Sequence, residues 1–106
     1  MTKYLIKASY APEGVKGLLK SGGTNRKQAI DKMVTDLGGK LEAFYYAFGD
    51  YDVFAICSLR DAATAAAIAL SINASGLVSV STTVLLDPEE IDKAKDITVE
   101  YRSPGT

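Results

Sequence analysis

Three side chains in this sequence have types and positions that could do chemistry: Lys7 in an alternating segment near the start, Tyr45 before a glycine-containing turn, and Asp52 just after it. In a cavity, burial raises a carboxylate toward a useful base, an ammonium balances or stabilises an anion, and a phenol donates a hydrogen bond or forms a stacking wall. Asp52, Lys7 and Tyr45 are therefore the catalytic candidates, in those roles. The chain has no histidine, which removes the commonest general base, the commonest metal ligand and every triad built on imidazole. Chemistry without a cofactor is the expectation. Asp61, Glu89, Glu90 and Asp92 form no plausible metal cluster, helix-start positions account for most of them, and no metal site is expected.

A second candidate is Ser21-Gly22-Gly23-Thr24-Asn25-Arg26, a glycine pair leading into a helix. Gly22, Gly23, Thr24 and Arg26 could hold an anion through free backbone N–H groups, a hydroxyl and a guanidinium. The segment lacks the lysine and spacing of a phosphate-binding loop and does not follow a strand directly, so ordinary capping explains it first.

These residues must be positioned by one domain, residues 1–106, long enough for a core but not for a second module. The hydrophobic fraction of 47% and charged fraction of 24% match soluble globular chains. A net charge of −1 with no basic stripe argues against nucleic acid as a partner. No membrane-spanning segment is read, and Met1-Thr2-Lys3-Tyr4-Leu5-Ile6 enters strand-like alternation without a signal core, so a cytoplasmic location is expected. The single Cys57 excludes an internal disulfide and reads as a small buried hydrophobe.

Lys3 to Tyr10 alternates as a first strand, with Tyr4, Ile6, Ala8 and Tyr10 on one face and Lys3, Leu5, Lys7 and Ser9 on the other. After Ala11-Pro12-Glu13-Gly14, Val15 to Leu19 reads as a short helical turn. A longer helix starts near Thr24 or Asn25, either of which could cap it, and Gly38-Gly39 ends it. Two strands, Lys40 to Phe48 and Asp52 to Leu59, form a hairpin around Gly49-Asp50 or a slightly longer loop. In a tight turn Gly49 would supply positive φ and Asp50 would bond the backbone ahead of it. Asp61 caps an alanine-rich helix to Asn73, Leu77 to Leu86 is the fourth strand, and Asp87-Pro88-Glu89-Glu90 opens a short helix to Lys95. Residues 98–106 form an extended or flexible tail.

The order strand, helix, strand, strand, helix, strand predicts an α+β domain with a ferredoxin-like βαββαβ antiparallel sheet and helices on one face. If the turn loop is even in length, Phe44, Tyr46, Phe48, Tyr51, Val53, Ala55 and Cys57 share one face, and Leu41, Ala43, Tyr45, Ala47, Asp52, Phe54, Ile56 and Ser58 the other. An odd loop would exchange Asp52 for Tyr51. Both faces are largely apolar, and with no spare helices a second copy of the chain is the natural cover. A homodimer joined sheet to sheet is predicted. Between its sheets Lys7, Ser9, Tyr45, Asp52, Ser58, Ser81 and Thr83 would line a mixed cavity, with Tyr51 competing for entry.

Gly38-Gly39-Lys40-Leu41-Glu42, Phe44-Tyr45 and Gly49-Asp50-Tyr51-Asp52 resemble the signature of the GYD-domain proteins, here with Asp50 between the glycine and the tyrosine. Gly14-Val15, Gly22-Gly23-Thr24, Gly76 and Asp87-Pro88-Glu89-Glu90 extend the resemblance over nearly the whole chain. It implies a dimeric α+β barrel, with two sheets closed around a central cavity, and supplies no reaction. Two functions remain: a small-molecule binder or cofactor-free enzyme working in the cavity, or a non-enzymatic dimerising regulatory or scaffold module with a protein partner. An open cavity of a few hundred Å³ favours the first and a filled interior the second.

Overall fold

Alternation at Tyr4, Ile6 and Ala8, repeated at Val53, Ala55, Cys57 and Leu59, buries one face of two strands. The computed structural model describes residues 1–106, in the order β1 (Thr2–Tyr10), α1 (Pro12–Ser21), α2 (Gly23–Asp36), β2 (Lys40–Tyr46), β3 (Val53–Leu59), α3 (Ala62–Ala74), β4 (Val78–Leu85) and α4 (Pro88–Lys95). The strands form one antiparallel sheet in the order β2-β3-β1-β4, the α+β ferredoxin-like arrangement expected from the order of elements.

Against the buried face, Val34 from α2 and Ala65 and Ile68 from α3 complete a core with Tyr4, Ile6, Ala55, Cys57 and Leu59. The alanines of α3 allow its backbone to lie close to the sheet. Asp61 caps this helix as expected, its carboxylate accepting the Thr64 N–H at 2.8 Å and the Thr64 hydroxyl at 2.7 Å. These bonds hold the Asp61 carboxyl below its usual range. Gly38, at φ +80°, ends α2 in the left-handed conformation that a Cβ disfavours.

The first helix is longer than the turn expected at Val15 to Leu19. Pro12 in the first turn, Glu13 near the N-terminus and Lys20 in the last turn sustain ten residues. The next helix starts at Gly23, earlier than Thr24 or Asn25, with Gly22 at its N-cap and no side-chain cap. Asn25 instead donates from Nδ2 to the Ser21 carbonyl at 2.8 Å. Gly22 reverses the chain at φ +84°, so two helices meet with a single residue between them.

The hairpin also departs from expectation. β2 stops at Tyr46 and β3 starts at Val53, leaving residues 47–52 as the loop. Gly49 is not among the glycines with positive φ, because a six-residue loop spreads the reversal and no tight turn is needed there. The loop is even, and Tyr46 pairs with Val53 and Tyr45 with Phe54. A bulge between Leu41 and Ala43 breaks the alternation. Leu41 therefore pairs with Cys57 and packs on the core, not on the outer face where strict alternation puts it.

Candidate functional site

The face turned away from the helices is the open one, and the strand register orders it into rows. Tyr45, Phe54, Lys7 and Ser81 lie side by side across all four strands, and Ala43, Ile56, Leu5 and Thr83 form the next row. Beyond these come Lys40, Ser58, Lys3 and Leu85. Successive rows are two residues, about 7 Å, apart along the strands. The register thus puts Ser81 on the strand beside Lys7 and Tyr45 two strands, about 10 Å, away in the same row, with Thr83 one row on, while Ser58 stands about 13 Å from Lys7 along the strands. Ser9 pairs with Ser79 one row beyond Lys7 on the opposite side.

Lys7 occupies the middle of this face. Its ammonium lies 4.7 Å from the centre of the Tyr51 ring, an attractive cation–π contact. The Tyr51 ring meets Phe54 edge to face at 6.0 Å between centres. Lys7 is half-buried and takes part in none of the five ion pairs of the chain. Tyr45, at 70% exposed, and Phe54, at 37%, are uncovered aromatics in the same row.

Tyr51 therefore lies on the open face although the loop is even, where alternation assigns it to the helix side. The reason is that residues 47–52 are not strand, so period two does not govern them. Phe48, assigned with it to the helix side, is 79% exposed. Asp52 shares the loop, but its carboxylate is engaged: Oδ2 accepts the Tyr10 backbone N–H at 2.7 Å. Its own N–H donates to the Ala8 carbonyl at 2.7 Å. Asp52 ties the loop to the end of β1, whatever further part it plays.

At the other end of the face, the bulge turns Glu42 toward Lys3, with Nζ and Oε2 at 3.0 Å, and Lys40 lies 3.6 Å from Oε1. The hydrogen bond from Lys3 holds the Glu42 carboxyl below its usual range. Ser58, in the row with Lys3 and Lys40, is buried. Sequence reasoning missed this ion pair, since only the bulge brings Glu42 to Lys3.

The glycine pair before α2 is positioned mainly by packing. Tyr46 donates its hydroxyl to the Gly23 carbonyl at 2.9 Å, and burial pushes the phenol pKa up. Thr24 is exposed, and Arg26 is half-buried beside an apolar space of about 40 Å³ between helices and sheet. That space has room for about one water and no ligand. No three carboxylate or cysteine side chains gather as metal ligands, and no helix is long and apolar enough to cross a membrane.

The family model for the GYD domain matches residues 4–94, a span that includes every residue of the open face discussed above except Lys3. No curated protein and no solved structure matches the chain.

Proposed function

The chain belongs to the GYD-domain family, and we propose that it holds a small, planar, anionic molecule between the open sheet faces of two copies. One observation carries the reading: Lys7 is a half-buried residue whose ammonium sits over the Tyr51 ring and has no carboxylate partner. A second sheet laid over this face would remove water from Leu5, Ile56 and Phe54, a favourable exchange. It would also remove water from Lys7 in each copy, a costly one unless an anion enters with it. The aromatic rings of Tyr45, Tyr51 and Phe54 suit an aromatic or conjugated acid, flat enough to slip between two sheets.

In such a cavity Lys7 is the countercharge, Tyr45 presents a phenol two strands away in the same row, and Ser81 presents a hydroxyl on the neighbouring strand at the other flank. Asp52 already accepts the Tyr10 N–H through Oδ2, which leaves Oδ1 to accept a proton if the bound acid reacts. No cofactor enters this scheme, and binding alone satisfies it.

Native mass spectrometry of freshly purified protein reads copy number and retained ligand together. Titration with 8-anilinonaphthalene-1-sulfonate, an aromatic anion, then tests the site. The expected result is a dimer that binds the dye, and a Lys7→Met variant that remains dimeric and binds at least about tenfold more weakly, a loss of about 1.4 kcal/mol. Equal binding by the variant would remove Lys7 from the site. A dimer with no bound mass and no dye response would favour the regulatory or scaffold reading, and a monomer would overturn the two-copy reading.

A further inference from the structure

The last fifth of the chain is folded without being packed. The α4 segment has every local signal of a helix: a capping box between Asp87 and Glu90, proline in the first turn, acids at its start and lysines at its end. Yet it buries no residue, and an isolated helix of eight residues is marginal in water. All of residues 86–106 are exposed, including Ile91 at 52%, Ile97 at 66%, Val99 at 74% and Tyr101 at 75%. The radius of gyration is 17.0 Å, against about 13 Å for a compact domain of this length. The molecule is correspondingly elongated, 56 × 34 × 22 Å.

After α4 the sequence Asp96-Ile97-Thr98-Val99-Glu100-Tyr101-Arg102 alternates polar and apolar residues with period two. That is the pattern of a strand with one covered face, but the segment pairs with no strand of its own chain. The sheet has two edges to offer. β2 is defended by a bulge and by Lys40 and Glu42, the devices that discourage strand addition. β4 reads Val-Ser-Val-Ser-Thr-Thr-Val-Leu, with no charge, proline or bulge. Its outer edge is occupied only near its start, where Asn73 accepts the Val80 N–H at 2.8 Å. Thr82 and Val84, on the same outward side, are exposed.

We infer that residues 87–106 are an exchanged arm that seats on a second copy of the chain, with Ile97–Tyr101 added as a strand to that copy's β4 edge. Main-chain hydrogen bonds along an open edge supply affinity, and the alternating side chains supply register. Charge favours this occupant. The arm carries six carboxylates and three cations, whereas residues 1–86 carry nine cations and seven carboxylates. An acidic arm on a basic body is attractive between copies, and exchange by two-fold symmetry satisfies both arms at once. The inference rests on the two-copy reading above but not on any ligand in the cavity.

Sedimentation equilibrium on the full chain, compared with an Ile97→Asp/Val99→Asp double variant, separates the two ideas. Since the arm buries nothing in its own chain, the variant should keep the parent far-UV circular dichroism. Its dimer dissociation constant should rise at least about tenfold. An unchanged constant would overturn the arm while leaving the dimer standing, and a monomeric parent would overturn both. As a second test, chains carrying Thr82→Cys are mixed with chains carrying Val99→Cys under oxidising conditions. A disulfide between the two kinds of chain supports the assigned edge. Failure to cross-link, despite an exposed thiol on each chain, overturns it.

Discussion

Asp52 reaches across forty-two positions of sequence to accept the backbone N–H of Tyr10 at 2.7 Å, joining the loop after β2 to the last residue of β1. A hydrogen bond from a backbone N–H to a carboxylate is worth about 1.5–3 kcal/mol. Asp52→Ala should therefore lower unfolding free energy by about 1.5–3 kcal/mol. Asp52→Asn, which keeps an oxygen acceptor, should lose less. Urea denaturation at one fixed protein concentration measures both, because association contributes to apparent stability. An alanine variant as stable as the parent would show that the tie does not hold the loop.

This bond marks the boundary of what the sequence makes legible. The helix-side core can be read from alternation because Tyr4, Ile6 and Ala8 and then Val53, Ala55 and Cys57 repeat at period two, and the structure buries all six. The helix starts at Asp61 and Asp87 are equally readable, since Asp61 accepts from Thr64 three residues on and Glu90 accepts the Asp87 N–H three residues back. The open face is less so. A one-residue bulge moves Leu41 inward and Glu42 outward, and a six-residue loop places Tyr51 beside Lys7 where alternation sends it to the helices. Bulge and loop geometry depend on contacts between distant residues, such as Asp52 with Tyr10, and leave no periodic trace.

Cys57 gives the fold a dependence on alkaline pH. Burial pushes its thiol from an ordinary 9.0 up to about 11. Between these values the folded chain keeps the proton and the unfolded chain has lost it, so ionisation pulls toward unfolding. Stability is therefore unaffected by this group below pH 9 and falls as pH rises toward 11, by at most about 1.4 kcal/mol per pH unit. The raised pKa of Tyr46 acts in the same direction above its ordinary value of 10.0, so the window from pH 9 to 10 isolates the thiol. In that window Cys57→Ala should flatten the fall seen by chemical denaturation. Identical slopes in parent and variant would mean that the thiol is no harder to ionise folded than unfolded. The parent thiol should also react with Ellman's reagent only as the chain unfolds.

Two glycines separate steric need from local sequence. Gly14 lies in α1 against Leu77, the residue before β4, and a Cβ there would run into the Leu77 carbonyl oxygen. That oxygen cannot simply move away, because it accepts the Ala11 N–H at 2.9 Å. Gly14→Ala should cost about 1–3 kcal/mol, the range for overpacking a close contact. Gly49 is the opposite case: a Cβ there meets nothing within 4 Å, and its φ is not positive. Gly49→Ala should leave the chain as stable as the parent or raise its stability by about 0.4–1 kcal/mol, by restricting the unfolded state. Thermal and urea unfolding of the two variants side by side test the contrast. Destabilisation at Gly49 comparable to that at Gly14 would show that the residues 47–52 loop is constrained by something outside the single chain, and the second copy proposed for the open face would be the first place to look.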